Sequence, residues 1–302
     1  MLGNYELLSL LGKGGMAEVY RARAVVGPRE GQDFALKKLL PEQENDPAAV
    51  AMFAGEGDLA RFLDHPNIVK IHEVGVSGES YFLVMDLVDG RDVGQIIKRC
   101  KSQGVAWPLD FAVYLTKVLL DALSYAHNAI GPTGKPLGII HCDVSPSNFF
   151  VSRTGELKLG DFGVARALID GGGSEVMGKP YYLSPEVLTG QIDLAVDLWA
   201  CTVTLYELLT LKKPFLGKTA EEVFEAIRTQ TYIPVRTIRP EVPVVLEQVI
   251  QKGFAKDPDD RYLSAAEFAA ALEGHYDERI GTPLAISAVV RGLFGTTNAT
   301  VT

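Results

Sequence analysis

Short strand-like apolar runs and glycine-rich turns, with one stretch of helical spacing among them, make up the first 85 residues, and helical spacing governs most of the remaining chain. Residues 5–11 and 17–25 read as two strands, the first apolar on both faces toward its end, with Gly12-Lys13-Gly14-Gly15-Met16 as the turn between them. Residues 32–39 read as a third strand, carrying Phe34-Ala35-Leu36-Lys37. Residues 47–63 place Val50, Phe53, Leu59 and Leu63 at helical spacing, and residues 68–76 and 80–85 predict strands four and five around Ser77-Gly78-Glu79. Residues 86–90 read as a connector, and from 91 onward the pattern is helical. The longest clear helix is predicted over 110–129, and a mostly apolar one over 193–211, which must therefore be buried. Thr219-Ala220-Glu221-Glu222 reads as a capping box, with further helices over 244–254 and 264–272. In the last stretch Thr282-Pro283 reads as a helix N-cap and first position, with Leu284, Ile286, Val289, Val290, Leu293 and Phe294 as an apolar face. That face serves either to dock the tail on the larger lobe or to bind a partner.

Composition narrows the class. A chain of 302 residues, 47% hydrophobic and 22% charged, has room for one large domain or two lobes and is neither disordered nor fibrous. A net charge of -9 argues against nucleic-acid binding, which rests on neutralising phosphates, and mildly favours cationic partners. Cys100, Cys142 and Cys201 are odd in number and widely spaced, so neither a disulfide framework nor a zinc site is expected, and a reducing cytoplasm fits best. The N-terminus lacks a secretory pattern, Gly3 is misplaced for myristoylation, and no apolar run reaches the roughly 18 residues needed to span a bilayer. Asn298-Ala299-Thr300 spells a glycosylation sequon, read as chance in a cytosolic chain.

Several positions carry candidate chemistry. Gly12 and Gly14 let backbone N–H groups approach phosphates, although glycine turns between strands are common and Ala17 stands where a third motif glycine belongs. Lys37, in an apolar strand, is either an edge residue or an internal charge paired with Glu56. His141-Cys142-Asp143-Val144-Ser145-Pro146-Ser147-Asn148 is followed thirteen residues after Asn148 by Asp161-Phe162-Gly163. Two carboxylates and a carboxamide at that spacing suit a metal–nucleotide site.

With Ser184-Pro185-Glu186, and Asp197 with Arg261, these sites stand in the order of the protein-kinase signature. The stretch 5–272 resembles the bacterial eukaryotic-like (Hanks-type) serine/threonine protein kinases. The resemblance implies an α+β, two-lobed protein-kinase fold, with a five-stranded antiparallel sheet and one helix in an N-lobe (1–86), a mainly helical C-lobe (87–274) and a tail (275–302). It implies transfer of the ATP γ-phosphoryl group to Ser or Thr hydroxyls of a protein substrate, with Mg. Asp143 would orient the hydroxyl, Asn148 and Asp161 would bind metal, and Lys37, fixed by Glu56, would hold the phosphates. ATP would lie against Leu11, Gly12, Gly14, Val19, Ala35, Met85 and Phe150, with the backbone of Asp86 and Val88 at the adenine edge. Glu186 and Arg261 would form a buried structural pair, Asp197 would brace the catalytic loop, and Trp199, His141 and Phe162 would pack.

Three positions depart from that pattern. Cys142 replaces an arginine that grips a phosphorylated activation loop. The segment 164–178 agrees with loss of that switch, since Ser174 is its only hydroxyl and Gly171-Gly172-Gly173 makes it flexible. Ser145 replaces a lysine that steadies the transferring phosphoryl group, and Lys179 replaces a threonine before Pro180. Three readings of Lys179 stand open: it supplies the charge Ser145 lacks, it blocks Asp143 and makes a nucleotide-binding pseudokinase that signals by conformation or partner binding, or it points to solvent.

Overall fold

The computed structural model describes residues 1–162, 179–279 and 281–295. Gly163, Ser174 and the glycines at 171–173 lie outside the described residues. Five strands, β1 (Tyr5–Lys13), β2 (Ala17–Ala24), β3 (Asp33–Leu39), β4 (Ile71–Ser77) and β5 (Ser80–Met85), form one antiparallel sheet in the order β1-β2-β3-β5-β4. Alternation assigns its faces. Phe34, Leu36, Phe82 and Val84 join Leu2, Tyr5, Ala22 and Ala24 in a small core on one side. Leu39 and Leu83 turn to the other, where Phe53 of α1 (Pro47–Ala60) packs. Lys37 shares that second face, because side chains two apart on a strand point the same way.

Asp46 caps α1 by accepting from the Ala48 N–H at 2.9 Å, with Pro47 in the first position. The helix ends at Ala60, three residues before the expected limit, although Leu63 remains fully buried. Strand β4 also starts later than expected. Ile68 forms a parallel bridge to Leu159 instead, and Val69 donates to the Leu159 carbonyl at 2.8 Å, so this segment ties the two lobes together.

The segment 90–92, expected to close the connector and begin helical pattern, is instead a strand. β6 (Gly90–Asp92) pairs with β7 (Phe149–Ser152), and β7 with β8 (Leu157–Leu159). Gly90 permits the pairing, since a Cβ there would stand 1.9 Å from the Val151 carbonyl oxygen. Asp92 then caps α2 (Val93–Gln103), accepting from the Gln95 N–H at 2.8 Å.

The rest is helical: α3 (Leu109–His127), α4 (Ala195–Thr210), α5 (Ala220–Thr229), the short α6 (Val235–Ile238) that periodicity did not predict, α7 (Val244–Gly253), α8 (Ala265–Leu272) and α9 (Pro283–Phe294). All 16 residues of α4 are buried, as its apolar run requires. Trp199 on α4 stacks on Phe215 at 5.4 Å and meets Phe254 at 5.1 Å. Thr219 accepts from the Glu222 N–H, but the Glu222 carboxylate accepts from Lys218 rather than from Thr219, so the box is half-closed. Helix α9 is capped by Thr282 and buries Ile286, Val290 and Leu293 against α2 and the β7–β8 turn. Leu284, expected on the apolar face, is 74% exposed, because it lies off the 286–290–293 stripe. Among the described residues no helix is long and apolar enough to cross a membrane.

Candidate functional site

Strand β3 and helix α1 bring Lys37 and Glu56 together: the Lys37 Nζ donates to Glu56 Oε1 at 2.8 Å and Oε2 at 2.9 Å, and to Asp161 Oδ1 at 3.1 Å. Lys37 is therefore an internal paired charge. Burial alone would lower its pKa, but Asp161 and Glu56 outweigh that and hold it above the usual value. The Lys37 amine in turn holds the Asp161 carboxyl below its usual range.

The loop from His141 to Asn148 is fixed from below. Asp197, buried on α4, accepts from the His141 and Cys142 N–H groups at 2.8 Å each and bonds the His127 Nε2 at 2.9 Å. Burial would raise the Asp197 pKa; His127 and the donors at His141 outweigh it and lower the carboxyl instead. The His141 ring packs on Phe162 with centroids 4.5 Å apart. Its Nδ1 accepts from the Asp143 N–H at 3.2 Å, so in the neutral ring the Nε2 carries the proton, 2.9 Å from the Gly160 carbonyl. Cys142 and Asp161 both hold positive φ, 61° and 57°, a conformation that non-glycine residues enter only when their surroundings impose it. Burial, with Asp197 and Asp143 nearby, pushes the Cys142 thiol well up, away from a reactive thiolate.

Asn148 sits on the 3-10 turn Pro146–Asn148 and donates from Nδ2 to Asp143 Oδ2 at 2.8 Å and to its carbonyl at 2.9 Å. Lys179 enters from the facing segment. Its Nζ lies 2.7 Å from Ser145 Oγ, 3.3 and 3.5 Å from the Asp143 oxygens and 3.4 Å from Asn148 Oδ1. The solvent-pointing reading of Lys179 is thereby removed.

These groups border one cleft of about 650 Å³ between the lobes, a size suited to a nucleotide. Leu11, Gly12, Gly14, Val19, Ala35, Lys37, Met85, Asp86, Val88 and Phe150 all line it, as do Glu56, Asp143, Asn148, Asp161 and Lys179. A Cβ on Gly12 would meet nothing within 4 Å, so packing does not demand glycine there. The Asp86 N–H is already spent on the Lys70 carbonyl at 3.0 Å, and its side chain turns away to His72 at 2.7 Å and Lys158 at 3.1 Å.

The profile of the protein kinase domain family matches residues 5–271. The chain belongs to that family. It is 34% identical over 302 residues to a chain of Myxococcus xanthus named tyrosine-protein kinase MasK, covering 97% of this chain and 46% of that one. It is 34% identical to a probable serine/threonine-protein kinase of Streptomyces coelicolor, SCO3848, covering 97% and 43%, and 32% identical to the serine/threonine-protein kinase PrkC of Bacillus subtilis, covering 91% and 41%. This kinase domain thus spans less than half the length of these curated relatives. Among solved structures, the PknI kinase domain of Mycobacterium tuberculosis superposes with a TM-score of 0.69 at 26% identity, over 90% of this chain and 96% of that one.

The scaffold pair of this kinase domain closes as well: Arg261 donates to the two Glu186 oxygens at 2.7 and 2.8 Å, both residues buried. The motifs left out Asp92 and gave no role to Ser147, both of which also line the cleft. They also left out a buried acid on α4, Glu207, which accepts from the Tyr182 hydroxyl at 2.6 Å and pairs with Lys213. Glu207 gave no motif signal, being one polar position in an apolar helix.

Proposed function

We propose that this kinase domain transfers the γ-phosphoryl group of ATP to Ser or Thr hydroxyls of proteins. The observation that carries the reading is the Lys37 amine shared between Glu56 and Asp161, which joins the sheet, α1 and the metal loop in one connected arrangement. Phosphoryl transfer asks chiefly for positioning and charge neutralisation, and this arrangement supplies both. The relatives' names favour serine and threonine over tyrosine, two of the three given above being serine/threonine kinases.

Lys37 holds the phosphates, the Asp86 carbonyl and the Val88 backbone receive the adenine edge, and Asn148 Oδ1 with Asp161 supplies oxygens for Mg. That donor set fits the ion: Asn148 and Asp161 both border the cleft and offer oxygen donors, and Mg characteristically takes one or two protein oxygens and completes its shell with phosphates and water. When bound, Mg neutralises the charge of the β- and γ-phosphates. Asp143 accepts the proton of the incoming hydroxyl. Its Oδ2 is held by Asn148, and Lys179 is anchored most closely on Ser145, so Oδ1 keeps only a 3.5 Å contact and can receive that hydroxyl. Lys179 then delivers, from the facing segment, the cation missing at position 145. The 3.3 Å contact between Lys179 and Asp143 is the one observation on the side of a nucleotide-binding pseudokinase, and the kinases among the relatives weigh against that reading.

Radiolabelled ATP with Mg, offered with a generic protein substrate to the parent and to Asp143→Asn, tests the main reading. Incorporation by the parent should fall about 10²-fold or more in the variant, the scale of losing a positioned base. Phosphoamino-acid analysis should return phosphoserine or phosphothreonine. Equal incorporation in both proteins would remove the transferase reading.

A further inference from the structure

Asp86, Leu87 and Val88 border the nucleotide cleft and also a second cavity of about 490 Å³, whose walls include Phe34, His72, Arg153 and Lys158. None of residues 85–89 is buried, so packing holds this connector less firmly than its polar contacts do. Asp86 supplies most of them. Its N–H donates to the Lys70 carbonyl at 3.0 Å, and its Oδ2 accepts from the Lys70 N–H at 3.4 Å and from the Lys158 amine at 3.1 Å. Its Oδ1 lies 2.7 Å from the His72 Nε2. Burial would raise the Asp86 pKa, but the bonds from His72 and Lys158 outweigh it and hold the carboxyl below its usual value. An ionised carboxylate only accepts, so the His72 Nε2 is the donor.

These partners stand on opposite sides of the place where the lobes can turn. The segment before β4 is laddered to β8, with Val69 donating to the Leu159 carbonyl and Leu159 to the Asn67 carbonyl, each at 2.8 Å. Residues 67–69 therefore move with the larger lobe, and Lys158 on β8 moves with them, its amine also donating to the Ile68 carbonyl at 3.4 Å. His72 lies beyond that ladder, on β4, and moves with the five-stranded sheet. One carboxylate thus spans the pivot, taking His72 from the sheet and Lys158 from the larger lobe. In the same arrangement Lys37 already joins Glu56 to Asp161 across the cleft, so the angle being held is one that suits a nucleotide.

We propose that the Asp86 side chain is a positioning group for ATP: by bridging His72 and Lys158 it holds the lobes at the angle in which the cleft accepts the nucleotide. This deepens the kinase reading and rests on it for the identity of that nucleotide. Without the bridge the competent angle becomes one of several, and the apparent affinity falls in proportion to the time spent in it. Saturating nucleotide restores that angle, because it binds the competent state in preference to the others. The loss therefore falls on KM for ATP and not on kcat.

Lys158→Met keeps the aliphatic stem, removes the amine and lies outside the nucleotide cleft, so it isolates the bridge. It should raise the KM for ATP about threefold to tenfold, the scale of one partly exposed charged hydrogen bond, with kcat within about twofold of the parent. Asp86→Ala should raise KM at least as much, and adding Lys158→Met to it should change little further, since the two residues act through one contact. Lys70→Ala removes a side chain paired with Asp64 at 2.9 Å and keeps the backbone groups that Asp86 uses, so it should change neither constant. Additive effects of the two substitutions, a fall in kcat at unchanged KM, or faster turnover at unchanged KM, which would make the bridge a brake, each overturn the proposal. Hydrogen exchange of the ligand-free proteins separates this from the kinase reading: the amides of residues 86–92 should exchange several times faster in Lys158→Met than in the parent. If the parent binds no ATP, the kinase reading falls by itself, and exchange then decides the bridge, acceleration upholding it and unchanged rates refuting it.

Discussion

Ser145 is 1% exposed and its hydroxyl lies 2.7 Å from the Lys179 amine, so the short side chain and the long one occupy a single space. The family resemblance places an amine at 145 and a hydroxyl at 179. If one cation is what the site needs, the two positions are exchangeable as a pair and not singly. Lys179→Thr should cut turnover by about 10²- to 10³-fold, the loss expected when one stabiliser of transferring charge is removed. Ser145→Lys alone should also lose activity, because it forces two amines into that space. The double variant should recover at least tenfold over Lys179→Thr, a coupling that adjacent residues show and independent ones do not. Steady-state kcat with ATP and a serine peptide reads this. Faster turnover in Lys179→Thr would instead make Lys179 a block on Asp143.

Helix α1 places Glu56 between two glycines that the structure treats differently. A Cβ on Gly57 would fall 2.5 Å from Val74 Cγ2 and 2.6 Å from Leu83 Cδ2, so α1 lies on β4 and β5 as closely as it does only because nothing projects there. A Cβ on Gly55 would meet nothing within 4 Å. Gly55→Ala should therefore stabilise the protein by about 0.5–1 kcal/mol, through a less mobile unfolded chain and better helix propensity. Gly57→Ala should destabilise it by roughly 1–3 kcal/mol, as overpacking does, and lift Glu56 from Lys37. Urea midpoints and the shift of melting temperature with ATP and Mg measure the two effects; equal behaviour of the variants would refute the account. The distinction was not legible in the sequence, which shows two glycines in a helix without saying which one faces a wall. That Lys37, Glu56, Asp143, Asn148 and Asp161 would meet at one cleft was legible, because the kinase signature fixes residue type and order together. The direction of Lys179 was not, since a lysine before proline is compatible with three placements until the facing loop is known. Strand β6 escaped notice for another reason: at three residues it is too short for periodicity, and it exists through pairing with a strand almost sixty residues away in sequence.

Across the whole molecule the tail helix, the small sheet and the connector form one continuous contact. Ser287 on α9 donates to the Arg153 carbonyl, and Arg99 on α2 donates to the Leu293 carbonyl at 2.9 Å, with Arg91 and Arg99 over the Phe294 ring at 5.1 and 5.8 Å. Arg153 in turn donates from Nε to Asp89 at 3.0 Å and from its N–H to the Asp89 carbonyl at 2.9 Å, one residue beyond Val88 at the cleft. Of the apolar face of α9, open in the sequence to a partner or to the larger lobe, Ile286, Val290 and Leu293 are buried against the larger lobe and Leu284 is exposed. Gly155 controls this contact. Its φ is +85°, and a Cβ there would stand 1.7 Å from the Pro283 carbonyl oxygen, a backbone atom that cannot turn aside. Gly155→Ala must either flatten the β7–β8 turn or displace the start of α9. The left-handed conformation alone costs about 1–2 kcal/mol for a residue with a Cβ, and the loss of Ile286, Val290 and Leu293 burial adds to it. Trypsin should then cut after Arg279 or Arg291 several times faster than in the parent. Because Arg153 also holds Asp89, ATP affinity should weaken by a few-fold. Leu284→Asp, at the 74% exposed position of the same helix, should change neither readout. Unchanged tail proteolysis in Gly155→Ala would show that α9 does not depend on this turn, and faster proteolysis at constant ATP affinity would show that the contact stops at Arg153 and does not reach the cleft.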